Sequence, residues 1–220
     1  MIRFSLLLVF FFFSVFLMSC SGDQATTAST DTDKSVKTES KKPVRAIKTR
    51  ENTLAGFKDN MAVLGNGQMV EVPGLADEKQ SVFILVRHAE KESSGDDPAL
   101  NLVGQERAKR LADILKNIPL NQIMSTDYVR TKTTVEPLSA EKKLVVQMYD
   151  PSSQTDLFTD ISVFNKHNVM VVGHSNTIPG LANFLIGKPV FDDFSENDYD
   201  QIIIISAEQP GKASYLSLNY

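Results

Sequence analysis

Cysteine occurs once in the 220 residues, at Cys20, so no intrachain disulfide can form. Positive charge is not in excess. The 23 Lys and Arg stand against 27 Asp and Glu, a formal net charge of −4, which argues against nucleic acid as a partner. No apolar run reaches the roughly 20 residues that a bilayer-spanning helix needs. The run Leu6–Met18 falls short of that, and it follows the basic start Met1-Ile2-Arg3, which together read as a signal-peptide core. Histidine is scarce, three residues in all, and none follows His174. That excludes the Ser…Asp…His order of an α/β-hydrolase for Gly173-His174-Ser175-Asn176-Thr177, which also has Thr177 where the nucleophile elbow requires glycine. His88 and His174 lack a clear carboxylate-rich ligand set, which speaks against a metallohydrolase.

What is present divides into four stretches. Leu17-Met18-Ser19-Cys20 resembles the lipobox of bacterial lipoproteins. The resemblance implies that residues 1–19 are a cleaved signal peptide, that Cys20 is lipidated, and that the protein is anchored extracytoplasmically in a bacterial cell envelope. Residues 20–45 are rich in Ser, Thr, Asp and Lys with almost no large apolar side chain, the composition of a disordered tether. Loss of residues 1–19 removes only Arg3, taking the charge from −4 to −5. The tether holds five basic against four acidic residues, so the folded part carries about −6. An anionic ligand therefore needs a local cluster of cations. Residues 46–80 form an N-terminal extension in which Ala62–Leu64, Gly65-Asn66-Gly67 and Gln68–Val72 suggest a small hairpin. Residues 81–220 carry the periodic patterns of the main domain.

In that domain Val82–Val86, Gln122–Ser125, Leu144–Met148, Val169–Gly173 and Ile202–Ser206 read as strands. Leu102–Asn117 after an N-cap at Asn101, Tyr128–Ala140 disturbed at Pro137, Thr155–Lys166, and Ile178–Ile186 closed by Gly187 read as helices. Ala213–Tyr220 reads as an antiparallel edge after the Pro210-Gly211 turn. The alternation predicts an α/β fold with a mostly parallel central sheet and helices on both faces. Two strands end on an imidazole, at Arg87-His88 and at Gly173-His174, where open α/β sheets place their ligands. His167 sits in the polar turn Asn165–Asn168.

The motifs at these ends resemble a known family. Leu85-Val86-Arg87-His88-Ala89-Glu90-Lys91 resembles the Arg-His-Gly signature of the phosphoglycerate-mutase-like histidine phosphatase superfamily, with Ala89 where glycine is usual. Leu100–Ala108 is similar to the motif that opens its first helix. Ser125–Thr134 is similar to the segment bearing its second phosphate-binding arginine, and Val172-Gly173-His174-Ser175-Asn176 to its second histidine motif. They occur in the family's order.

The resemblance implies a phosphatase in which His88 attacks phosphorus to form phosphohistidine, while Arg87, Arg130 and His174 bind the phosphoryl oxygens. It implies a small phosphorylated substrate and no cofactor or metal. It also implies a carboxylate acid after the second arginine. Asp150, following the strand Leu144–Met148, is the candidate, and a strand-ending turn accounts for it equally well. Glu90 is the rival, as acid or as a group that orients the site. Ser93–Asp97 is a polar loop bordering the substrate. Only 43 residues separate Arg130 from His174, and the resemblance implies that mutases use longer insertions there to enclose substrate, so this short cap favours hydrolysis. The alternatives are an anchored phosphate-ligand-binding domain with weak or no turnover, or a mutase.

Overall fold

The computed structural model describes residues 53–77, 79–153, 156 and 166–220, all within the compact unit Ala46–Tyr220. The signal peptide, Cys20 and the tether lie outside the described residues, as does most of the expected helix Thr155–Lys166.

A six-stranded sheet organises the domain. Its strands are β4 (Ser81–Arg87), β5 (Gln122–Thr126), β6 (Val146–Tyr149), β7 (Asn168–Gly173), β8 (Gln201–Gln209) and β9 (Lys212–Asn219), in the order β6-β5-β7-β4-β8-β9. The first four run parallel, whereas β8 is antiparallel to β4 and β9 to β8. The sheet is thus mixed, with the Ala213–Tyr220 segment at its edge. All seven residues of β4 are buried. A strand covered on both faces cannot alternate polar with apolar, which is why Val82–Val86 is a continuous apolar run.

The two faces bury different helices. Val82, Ile84 and Val86 share a core with Leu111 and Leu115 of α1 (Leu102–Leu115) and with Val135 and Leu138 of α2 (Val129–Lys142). Phe83 and Leu85 share the other with Ile178, Leu181 and Leu185 of α3 (Thr177–Ile186). Each such side chain contributes about 1.5–3 kcal/mol by leaving water.

The extension before residue 81 is more than a hairpin. β1 (Leu54–Lys58), β2 (Met61–Leu64) and β3 (Met69–Glu71) form an antiparallel sheet, and Leu54, Phe57 and Ala62 join the core beneath α1.

Two expected boundaries moved. α2 runs through Pro137 to Lys142 and is closed by Lys143 in the left-handed conformation, φ 55°. Leu144 then donates its N–H to the Ser139 carbonyl, so Leu144 finishes the helix and β6 starts only at Val146.

Candidate active site

Register builds the site. β4 and β7 pair in parallel with Arg87 opposite Gly173, and the His88 N–H bonds the Gly173 carbonyl at 2.9 Å. The residues that follow, His88 and His174, therefore leave the sheet side by side, with ring centroids 5.6 Å apart. β5, on the far side of β7, leads through Thr126 and Tyr128 into α2, whose first turn carries Arg130.

His88 is held in one tautomer. Its Nδ1 lies 2.8 Å from the Ala89 carbonyl oxygen, which can only accept, so Nδ1 carries the proton and Nε2 keeps the lone pair. Burial pushes its pKa down from 6.5 to about 3. The Ala89 carbonyl opposes that shift, and the charges of Arg87, Arg130 and His174 add to it. His174 is lowered to about 4 by burial, then by Arg130 and Arg87. Its Nε2 lies 3.0 Å from Thr126 Oγ1, whose hydroxyl donates to Thr131 Oγ1 at 2.9 Å; Thr131 in turn donates to the Thr126 carbonyl at 2.8 Å. Carbonyls anchor that chain, so His174 Nε2 is the donor at its other end. The protein alone holds His174 neutral at pH 7, and its imidazolium form needs the opposing charge of a phosphoryl dianion.

Arg87 is almost fully buried, at 3% exposure. Its Nη1 donates to the carbonyls of Ser195 (2.8 Å), Glu196 (3.3 Å) and Asp198 (3.3 Å), and its guanidinium lies 4.2 Å from the Tyr199 ring centre. Arg130 donates from Nη1 to Asp97 at 3.2 Å and stacks 4.3 Å from the Tyr128 ring centre. Tyr199 and Tyr128 also flank the imidazoles, at 6.0 Å from His88 and 5.0 Å from His174. The Nε of each arginine is buried with no hydrogen-bond partner among the described residues. A buried guanidinium N–H without an acceptor is costly, and two of them beside two imidazoles fit an oxyanion. Among the described residues no group of three His, Cys, Asp or Glu could hold a metal ion.

Glu90 is part of the frame. Arg107 grips it with Nε at 3.0 and 2.9 Å and Nη2 at 2.7 Å. Burial favours its neutral form, but the hydrogen bonds and charge of Arg107 outweigh that and hold its pKa below the usual range. The α1 opening completes the frame. Asn101 caps the helix by accepting the Gly104 N–H at 2.9 Å, and its own N–H bonds the Glu90 carbonyl at 3.0 Å. Gly104 is required there because a Cβ would sit 2.1 Å from the Glu90 carbonyl oxygen.

Asp150 is not brought to the cluster. It ends β6, the outermost strand, three inter-strand spacings or about 14 Å across the sheet from β4. Its exposed carboxylate accepts from the Ser152 N–H (2.8 Å) and hydroxyl (2.7 Å), and those bonds lower its pKa. The expectation that this strand end lies beside those of His88 and His174 fails, because β5 separates it from β7, and β5 and β7 separate it from β4; Asp150 makes the turn. Within the Ser93–Asp97 loop, Asp97 accepts the Val129 N–H at 3.0 Å and so caps α2 as well as pairing Arg130. His167 lies at the opposite end of the sheet, before β7.

Arg107, Tyr128 and Asp97 lie inside or beside motifs already singled out and were open to inspection there. Tyr199 had no such signal, because it meets Arg87 only through the fold.

Residues 83–151 match the model of the histidine phosphatase superfamily (branch 1). No curated protein matches the chain. Among solved structures, the protein histidine phosphatase SixA complexed with tungstate is 14% identical, covering 63% of this chain and 96% of its own, with a TM-score of 0.50. Mycobacterial hydrolase 2 is 13% identical, covering 64% and 91%, at 0.52. Mycobacterial hydrolase 1 is 14% identical, covering 64% and 98%, at 0.50. At these identities the likeness is one of fold. Sequence pattern and fold agree: over residues 83–151 the chain is similar to the histidine phosphatase superfamily, and its fold is like that of these phosphatases.

Proposed function

We propose that the chain is a phosphatase that hydrolyses a small phosphate monoester through a phosphohistidine at His88. The reading is carried by one observation: two arginines with buried, unpartnered Nε atoms lie beside two imidazoles 5.6 Å apart. The tautomer supports the step. Nε2 of His88, neutral at pH 7, attacks phosphorus, and the bond from phosphorus to the ester oxygen breaks as the N–P bond forms. Arg87, Arg130 and His174 take up the charge on the equatorial oxygens, where stabilisation of transferring phosphoryl groups is worth most. Water then attacks phosphorus, the N–P bond breaks, and inorganic phosphate leaves with the His88 lone pair restored. Glu90 orients the segment after His88 through Arg107, and solvent supplies the proton to the departing oxygen.

SixA, the fold relative solved with tungstate, is a protein histidine phosphatase, which is in keeping with phosphatase chemistry on this fold. An anchored binding domain is the second reading. It is favoured by the commitment of Glu90 to Arg107 and of Asp150 to Ser152, which leaves neither carboxylate poised as an acid. Hydrolysis of p-nitrophenyl phosphate by the full chain, retained in chelator and abolished in His88→Asn, distinguishes the two; phosphate binding without turnover supports the second. For location, we propose a lipid anchor at Cys20 on the extracytoplasmic side of a bacterial membrane.

A further inference from the structure

We propose that the carboxylates of Asp97 and Glu196 set substrate choice, selecting a phosphate ester whose alcohol part carries a cationic amino group and disfavouring one with a second anionic group. The inference rests on the phosphatase reading only for the identity of the phosphoryl end.

Each phosphate-gripping arginine shares a protein carboxylate. Arg130 Nη1 is 3.2 Å from Asp97 Oδ1, and Arg87 Nη2 is 4.0 Å from Glu196 Oε2. Exposure separates floor from rim. The arginine side chains are 15% and 4% exposed, whereas those of Asp97 and Glu196 are 39% and 92% exposed. The positive charge is sunk and the negative charge stands at the mouth.

Both carboxylates are carried on fixed backbone. Asp97 is tied to the α2 N-terminus through the Val129 N–H, and the Ser195, Glu196 and Asp198 carbonyls are all held by Arg87. The Phe194 N–H bonds the Ser175 carbonyl at 2.9 Å, pinning the same loop beside His174. Little positive charge offsets the rim. No Lys, Arg or His occurs between Lys188 and Lys212, a stretch that holds Asp192, Asp193, Glu196, Asp198, Asp200 and Glu208. Lys132, two residues past Arg130, is itself paired with Asp127 at 2.6 Å.

A phosphoryl dianion seated on the guanidiniums places the next few atoms of its alcohol against this rim. An ammonium there meets two carboxylates at short range, and a carboxylate or second phosphate meets like charge.

The test is binding of three non-hydrolysable phosphonates to the full-length protein by calorimetry at low salt. 2-Aminoethylphosphonate should bind tightest, ethylphosphonate next and 3-phosphonopropionate weakest, with at least about fivefold between first and last. Glu196→Gln and Asp97→Asn should each narrow that ratio, and about 0.5 M salt should shrink it toward one. Tighter or equal binding of 3-phosphonopropionate, or a ratio that neither substitution moves, overturns the proposal. Absence of binding by all three overturns it together with the anion site. Turnover plays no part in these readouts, so a protein that binds selectively but does not hydrolyse p-nitrophenyl phosphate contradicts the phosphatase reading and leaves the selectivity standing.

Discussion

At the scale of residues, both site histidines titrate well below the ordinary 6.5, His88 at about 3 and His174 at about 4, chiefly through burial. An imidazole whose folded pKa is depressed stabilises the fold fully above the unfolded value. That contribution fades as pH falls from about 6.5 toward 4 and 3, because the unfolded chain takes up the protons first. At pH 5 the loss for His88 is at most about 2 kcal/mol. Urea denaturation should therefore show the wild type losing about 1–2 kcal/mol more than His88→Gln between pH 7 and pH 5; parallel pH profiles contradict this.

The carboxylates give a second prediction. A positioned general acid contributes about 10²–10⁴-fold, and only on basic leaving groups. Glu90, locked to Arg107, should lose activity about equally on alkyl and p-nitrophenyl phosphates when changed to Gln. Asp150→Asn should stay within about twofold on both, as an exposed turn residue. Selective loss on the alkyl ester in either variant returns that residue to the acid role.

Elements were legible where burial left a strong pattern. β4, β5, β7 and β8 are apolar runs in the sheet interior and ended close to where their composition placed them. β1 was not foreseen, because its buried residues Leu54 and Phe57 are three apart, with a register shift at Gly56 that breaks the period of two. β6 was shifted because an edge strand buries only Tyr149 and its apolar start is consumed by the α2 cap. The opening of α1 yields a prediction whose sign discriminates. Glycine to alanine in a helix interior ordinarily stabilises by up to about 1 kcal/mol. Gly104→Ala should instead destabilise by about 2–3 kcal/mol, since the new methyl meets the Glu90 backbone 2.1 Å away, and it should lower activity by displacing Glu90. Stabilisation on urea melting contradicts the close packing of α1 on the segment after His88.

Over the whole molecule, what could be read in advance was local. Arg87, His88, Arg130 and His174 stand in short motifs at strand ends or helix starts, and the parallel pairing of β4, β7 and β5 gathers them. What could not be read is carried by strand order and by backbone. Asp150 failed because β5 and β7 separate its strand from β4. The Ser195–Tyr199 loop reaches Arg87 from more than 100 residues away through carbonyls, which every residue type possesses. The anchor is tested independently. Cys20→Ser should move the protein from membrane to soluble fraction with phosphatase activity intact, because the folded region holds no cysteine; identical fractionation of mutant and wild type contradicts lipidation. The central claim is tested most directly by acid- and base-resolved trapping of the phosphoenzyme. The full chain is quenched within milliseconds of mixing with ³²P-labelled ester, and the labelled peptide is mapped. Label on His88 that survives alkali and is lost in acid, with none in His88→Asn, is the expected result. Label that survives acid, label on another residue, or steady hydrolysis by His88→Asn contradicts it.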